Sequence, residues 1–221
     1  IDFNDMIRFH IESGADVTIA YNEQELPESF MNTRSNDQGY YYTFGIDKGR
    51  ITKIYVNAKD KGVQNFSMNI FVVEMEKLID LINTAFVRGQ EYFERDVLLP
   101  QLGKLNVHAY KHEGYIARIC DMKSYFDENM KLLDDYNLDA LFSAAPIYKK
   151  IRGDNPTHYK HRAKIQNLMM ADGCVIEGEV ENSVIFRGVK IGKGAKVKNC
   201  ILMQDTVVEA GANVEYVITD K

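Results

Sequence analysis

Five histidines, three cysteines and a strip of lysines are the side chains of this 221-residue chain that could do chemistry on their own account. His108 and His112 stand four apart, a spacing that on a helix offers two imidazoles to one metal ion. Their neighbours read instead as a strand running into a turn, where the two rings do not share a face as ligands must. His158 and His161 fall in a proline-containing stretch and are read as solvated. Lys190, Lys193, Lys196 and Lys198 suit a solvated face, and the sharper alternative is a site for a phosphorylated effector or an acidic neighbour. Cys120, Cys174 and Cys200 have unrelated spacings, so no disulfide framework is expected, as in a reducing cytoplasm. The Tyr40–Tyr42 run is read as strand packing rather than a base-stacking platform.

Composition narrows the classes further. Net charge is −5 with both signs interspersed, which argues against a nucleic-acid surface. At 45% apolar residues the chain can bury a real core, as one large domain or two modest ones. No apolar run approaches the ~18 residues of a membrane span, and no secretory pattern opens the chain. It starts at Ile1 on what reads as the middle of a fold, so it is expected to be part of a longer protein.

The elements that must position any site begin with a repeat. Three 17-residue units, Ala171–Arg187, Gly188–Gln204 and Asp205–Lys221, follow one another without a gap. Their fourth positions are Cys174, Ile191 and Val208, their tenth Val180, Val197 and Val214, and their fourteenth Val184, Ile201 and Ile218. Three short strands per 17–18 residues predict the coils of a parallel β-helix. Gly and Asn between the strands, Asn182 and Asn199 among them, supply the positive φ of tight corners. Cys174 is read as a small core residue in its column.

Residues 1–133 alternate between helical and strand periods, which predicts an α/β layer domain. A helix over 3–11, with Phe3, Met6, Ile7, His10 and Ile11 as its apolar face, is capped at Asp2 or Asn4 and stopped by Gly14. Strands are expected at 17–21, 40–44, 50–56, 68–73 and 105–110, with a short one at 115–119. Further helices are expected at 74–88, 91–102 and 122–133, and residues 22–39 read as a polar surface excursion. Residues 134–162 read as a connector, and 163–221 as the β-helix.

An α/β domain before a left-handed β-helix points to sugar nucleotidyltransferases and a few acyltransferases. Asp2–His10 with Gly14–Ala20 resembles the segment after the catalytic aspartate loop of ADP-glucose pyrophosphorylases (glucose-1-phosphate adenylyltransferases). Phe66-Ser-Met-Asn-Ile-Phe71 resembles that family's Ala-Ser-Met-Gly-Ile-Tyr, and Phe93-Glu-Arg-Asp96 its Phe-Gly-Lys-Asp. Tyr125–Asn129 resembles its Tyr-Trp-x-Ala-Asn, and the β-helix strings Glu181–Val189 and Cys200–Gln204 look like the D-type, regulatory subunit of bacterial glycogen synthesis. These stretches run in family order over nearly the whole chain.

The resemblance implies the C-terminal part of a nucleotidyltransferase domain (Rossmann-like, with a mixed sheet) followed by a left-handed parallel β-helix. It implies a reaction that joins glucose 1-phosphate to ATP and releases pyrophosphate, with Mg²⁺ bridging carboxylates and phosphates. Ser67 matches a glucose-contacting serine. The family's Phe-Val-Glu-Lys-Pro, whose Lys grips the sugar phosphate, aligns with Ile54-Tyr-Val-Asn-Ala58, which puts Asn57 in place of that lysine, with Lys59 two places on as a substitute. Tyr115-Ile-Ala-Arg118-Ile-Cys-Asp121 matches Tyr-Trp-x-Asp-Val-Gly-Thr, which puts Arg118 where a metal-binding carboxylate belongs. A cation about 4 Å from Mg²⁺ costs at least ~4 kcal/mol per unit charge at an effective dielectric of ~20. Asp121 lies three residues on and could substitute after a local shift. Arg118 could equally grip an anion or sit in a surface ion pair. The expectation is a family member with no catalytic residues of its own in this stretch and no Mg²⁺ bound by it. It would serve as a regulatory or weakly active subunit beside a catalytic pyrophosphorylase subunit, or self-associate, with sugar phosphate or nucleotide as ligands. A fully catalytic nucleotidyltransferase is the alternative. An acyltransferase is disfavoured, because residues 163–221 contain no histidine base.

Overall fold

A computed structural model describes residues 1–26, 40–143, 147–148 and 153–220. Most of the predicted excursion at 22–39 and part of the 134–162 connector, Pro146 included, lie outside the described residues. The chain divides into two compact units, Ile1–Gly114 and Tyr115–Lys221, so the break falls at Gly114 and not near residue 133.

The first unit opens with helix α1 (Phe3–Ser13). The Asp2 carboxylate accepts the Asn4 N–H at 2.8 Å, and Gly14 ends the helix at φ 59°. Only Met6 and His10 of its apolar face are buried; Phe3, Ile7 and Ile11 are exposed, unlike the expected core-facing stripe. His10 Nδ1 lies 2.8 Å from the buried Thr18 hydroxyl, which is why an imidazole can sit on the inner face.

Five strands follow: β1 (Val17–Glu25), β2 (Tyr42–Asp47), β3 (Arg50–Val56), β4 (Val63–Val73) and β5 (Val107–Lys111). They join in the order β1-β4-β2-β3-β5 and close on themselves, β1 and β5 parallel, the other neighbours antiparallel. The expected mixed sheet is present. Its closure into a ring, through Thr43 opposite Phe66 and Arg50 opposite His108, adds to it. Val17, Ile19, Phe44, Ile51, Leu98 and Val107 fill the interior.

Opposite β1 the register of β4 slips between Ile19 and Tyr21, and the slack is taken up around Asn69, whose φ is +55°. Asparagine tolerates that left-handed backbone better than most side chains. Helix α2 (Met75–Val87) fills the predicted 74–88 span. The expected helix at 91–102 is instead one wide π-turn, Phe93–Leu98, followed by a 3₁₀ turn, Leu99–Gln101. Pro100 has no N–H to return to the Asp96 carbonyl, and Gln90 Nε2 donates to that carbonyl in its place.

In the second unit the predicted strand at 115–119 is absent, and that segment has no regular structure. Helix α3 (Met122–Lys131) follows, and helix α4 (Asp135–Phe142) stands inside the stretch expected to be connector. The β-helix includes His158–Tyr159, whose strand pairs in parallel with Val175–Ile176, so coils begin before residue 163.

Two of the three predicted columns are found as read. Val180, Val197 and Val214 stand in register, as do Val184, Ile201 and Ile218. In the remaining column, however, Ile176 rather than Cys174 lies beside Ile191 and Val208. The first coil is shorter at this corner, and a Cβ on Gly178 would sit 2.4 Å from the Ala195 carbonyl oxygen. Glycine permits that tight corner. Cys174 is still a buried core residue, at 1% exposure. No helix is long and apolar enough to cross a membrane, among the described residues.

Candidate functional site

Ser67 lies on β4 just before the Asn69 kink, and it is buried. Its hydroxyl donates to Glu94 Oε1 at 2.6 Å and accepts the Asn69 N–H at 3.0 Å. One hydroxyl has a single proton to give. That proton goes to Glu94, which the π-turn carries inward to 4% exposure.

The next two residues of the turn are held as firmly. Arg95 lies over the rings of Tyr40 and Tyr92, at 4.6 and 4.3 Å, and its guanidinium forks onto the Asp96 carboxylate. Asp96 also accepts the N–H groups of Glu91 and Tyr92. The Arg95 contact, with these backbone bonds behind it, holds the Asp96 carboxyl far below the usual carboxylate range and raises Arg95 in return. Burial first, and the Glu94 charge second, push the Tyr42 phenol up to about 12. Tyr40 therefore stacks on a cation rather than on a base.

Asn57 is structural in part. Its φ is +52°, its Oδ1 accepts the Tyr41 N–H at 2.9 Å, and its own N–H donates to the Tyr41 carbonyl at 3.0 Å. Lys59 is exposed in the loop that follows. The Tyr41 ring stacks on Phe66, beside Ser67, at 5.7 Å. Tyr41 thus touches both Asn57 and the residue before Ser67. No direct hydrogen bond joins Ser67 to Asn57 among the described residues.

Arg118 and Asp121 belong to the second unit. Arg118 is half-buried in the irregular segment. Asp121 caps α3: its Oδ1 accepts the Ser124 N–H at 2.7 Å, and the Ser124 hydroxyl sits 2.9 Å from the Asp121 N–H and carbonyl. Those bonds hold its carboxyl below the ordinary value. Asp121 is therefore a helix cap, and the shift that would bring it to a metal would undo α3. No grouping of three His, Cys, Asp or Glu side chains suited to a metal occurs among the described residues. His108 faces Phe9 edge-on at 6.3 Å and is kept easier to deprotonate by burial and then by Arg50. Of the lysine strip, Lys198 pairs with Glu181 at 3.2 Å, which leaves the strip less basic than its sequence suggests.

Sequence reasoning missed Glu94. The available signal is that it stands where the resembled motif has glycine.

Comparison with known proteins gives a consistent assignment. Residues 155–221 match the family described as GlmU-like, C-terminal hexapeptide. The glycogen biosynthesis protein GlgD of Bacillus subtilis (strain 168) is 35% identical over 156 residues, 70% of this chain and 45% of that protein. The GlgD of Geobacillus stearothermophilus is 40% identical over 133 residues, 59% of this chain and 38% of its own. A glucose-1-phosphate adenylyltransferase of Geobacillus stearothermophilus is 33% identical over 205 residues, 90% of this chain and 50% of its own. The chain spans about half the length of these relatives. Over that span it belongs to the ADP-glucose pyrophosphorylase family, and within the family it is GlgD-like.

Proposed function

We propose that this chain is part of a glucose-1-phosphate adenylyltransferase subunit in glycogen biosynthesis, of the regulatory or weakly active kind. It would work in the cytoplasm beside a catalytic subunit that supplies the Mg²⁺ site and the adenylyl transfer. The observation that carries this reading is the Ser67–Glu94 bond. A sugar oxygen can take the Ser67 proton only by displacing a buried carboxylate, and that carboxylate repels a sugar phosphate. The commitment of Asp121 to its helix cap supports the same reading, since Arg118 then has no carboxylate three residues away to restore a metal seat.

The full-length protein, purified alone, is assayed with ATP, glucose 1-phosphate and Mg²⁺, then again with a catalytic pyrophosphorylase subunit. The expected result is no turnover in the ordinary enzyme range of ~1–10³ s⁻¹ alone, and a changed rate or substrate dependence of the partner in the mixture. Ordinary turnover by the protein alone would establish the fully catalytic alternative.

A further inference from the structure

The second unit carries a groove of about 450 Å³ along one corner of its coils, lined on the other side by Phe126 and Met130 of α3 and by Leu133 and Asp134 beyond its end. Its floor is a row of residues at the same turn of successive coils: Asn167, Asn182, Asn199 and Tyr216. All four have left-handed backbones, with φ of 47, 44, 50 and 54°. Asparagine suits such a corner; tyrosine is a poor choice for it. Yet Tyr216 is 69% exposed, so burial of its ring does not explain its presence. The ring stands 6.3 Å from Phe126 of α3, at 43°.

The chemistry of this row is specific. Asn167 Nδ2 donates to Asn182 Oδ1 at 2.8 Å, and among the described residues the Asn199 amide makes no side-chain bond. The remaining amide groups offer both donors and acceptors to the groove. Neighbouring strands lie ~4.8 Å apart, so the row extends about 14 Å. Among the described residues Asp134 is the one charged side chain in the lining, and it already accepts the N–H groups of Tyr136 and Asn137. Among the described residues no cationic side chain lines the groove, which favours a neutral ligand over phosphates and nucleotides. A line of neutral amides ending at an exposed aromatic face matches a chain of linked sugars, with hydroxyls on the amides and an apolar sugar face on the ring.

We propose that this groove binds a linear neutral oligosaccharide, specifically an α-1,4-glucan; the choice of that glucan rests on the function proposed above. The site would hold the subunit to the polymer whose precursor its partner makes.

The test uses the full chain and maltoheptaose, with cellohexaose as the β-linked control, followed by isothermal titration and by ligand-observed NMR. Binding of maltoheptaose and not cellohexaose is expected. Asn199→Ala and Tyr216→Asn should each weaken it at least tenfold. Tyr216→Asn is the decisive variant, because it restores the corner residue of the other coils and should leave the melting temperature equal or higher. Undiminished binding in Tyr216→Asn, binding of cellohexaose alone, or no binding at millimolar glucan would each overturn the proposal. The adenylyltransferase assay on the mixed subunits is independent of these outcomes and judges the regulatory reading separately.

Discussion

Ser67 and Glu94 show how one residue position changes what a strand can do. A hydrogen bond to a charged group contributes ~1.5–3 kcal/mol, and Ser67→Ala should lower unfolding free energy by about that amount in a urea titration. Glu94→Gly should open the Ser67 hydroxyl instead: in titration calorimetry glucose 1-phosphate should give no heat with the parent and measurable heat with the variant. Asp16 provides the acid-sensitive residue of the same unit. It accepts the Asn106 N–H at 2.7 Å and pairs with Lys77 at 2.8 Å, which holds its carboxyl below 3.8, the backbone bond being the larger cause. A carboxyl lowered on folding contributes stability that is complete above its unfolded value and is lost as pH falls through the folded one. Asp16→Asn should therefore be less stable than the parent at pH 6. The gap should close as pH falls through the lowered folded-state value of the Asp16 carboxyl, read as the urea midpoint against pH.

At the level of elements, the helix cap and the coil corner are the places where sequence and structure meet most directly. Asp121→Ala removes the carboxylate half of a reciprocal cap, leaving the residue-121 N–H on the Ser124 hydroxyl, and should cost about 0.5–2 kcal/mol, whereas Asp121→Ser keeps an acceptor and should cost less. Much of this level was legible in advance. Val180, Val197 and Val214 repeat at the coil length, and the hairpin 42–56 follows its alternation. The misreadings share a cause: a local pattern overridden by something distant in sequence. Cys174 fell in the fourth position by counting, but Gly178 lets the first coil take a shorter corner against the Ala195 carbonyl, which no count within one repeat reveals. The 91–102 helix failed because Pro100 withholds an N–H that Gln90 then replaces. Of the candidate site, the position of Ser67 was legible from its motif. Its state was not, because Glu94 is 27 residues away and reaches it only through the π-turn.

The whole molecule holds two separate interiors, one inside the strand ring and one inside the coils, with no residue in common. Each is closed by its own backbone pairing: the ring by β1 with β5, the coils by strands stacked in register. Cooperative unfolding follows contiguous cores, and amide protection reports it locally. Gly178→Ala places a methyl group against the Ala195 carbonyl at 2.4 Å, an overpacking that typically costs ~1–3 kcal/mol. The strain falls within the coils, where each strand bonds the next, so it should spread along the stack rather than stop at one corner. Hydrogen exchange by mass spectrometry should accordingly show faster exchange in Gly178→Ala across 175–202, with the strands at 17–25 and 63–73 unchanged. Ser67→Ala should give the converse pattern. Equal acceleration of both sets by either variant would mean that the two interiors open as a single unit, and the division after Gly114 would then mark geometry without marking stability.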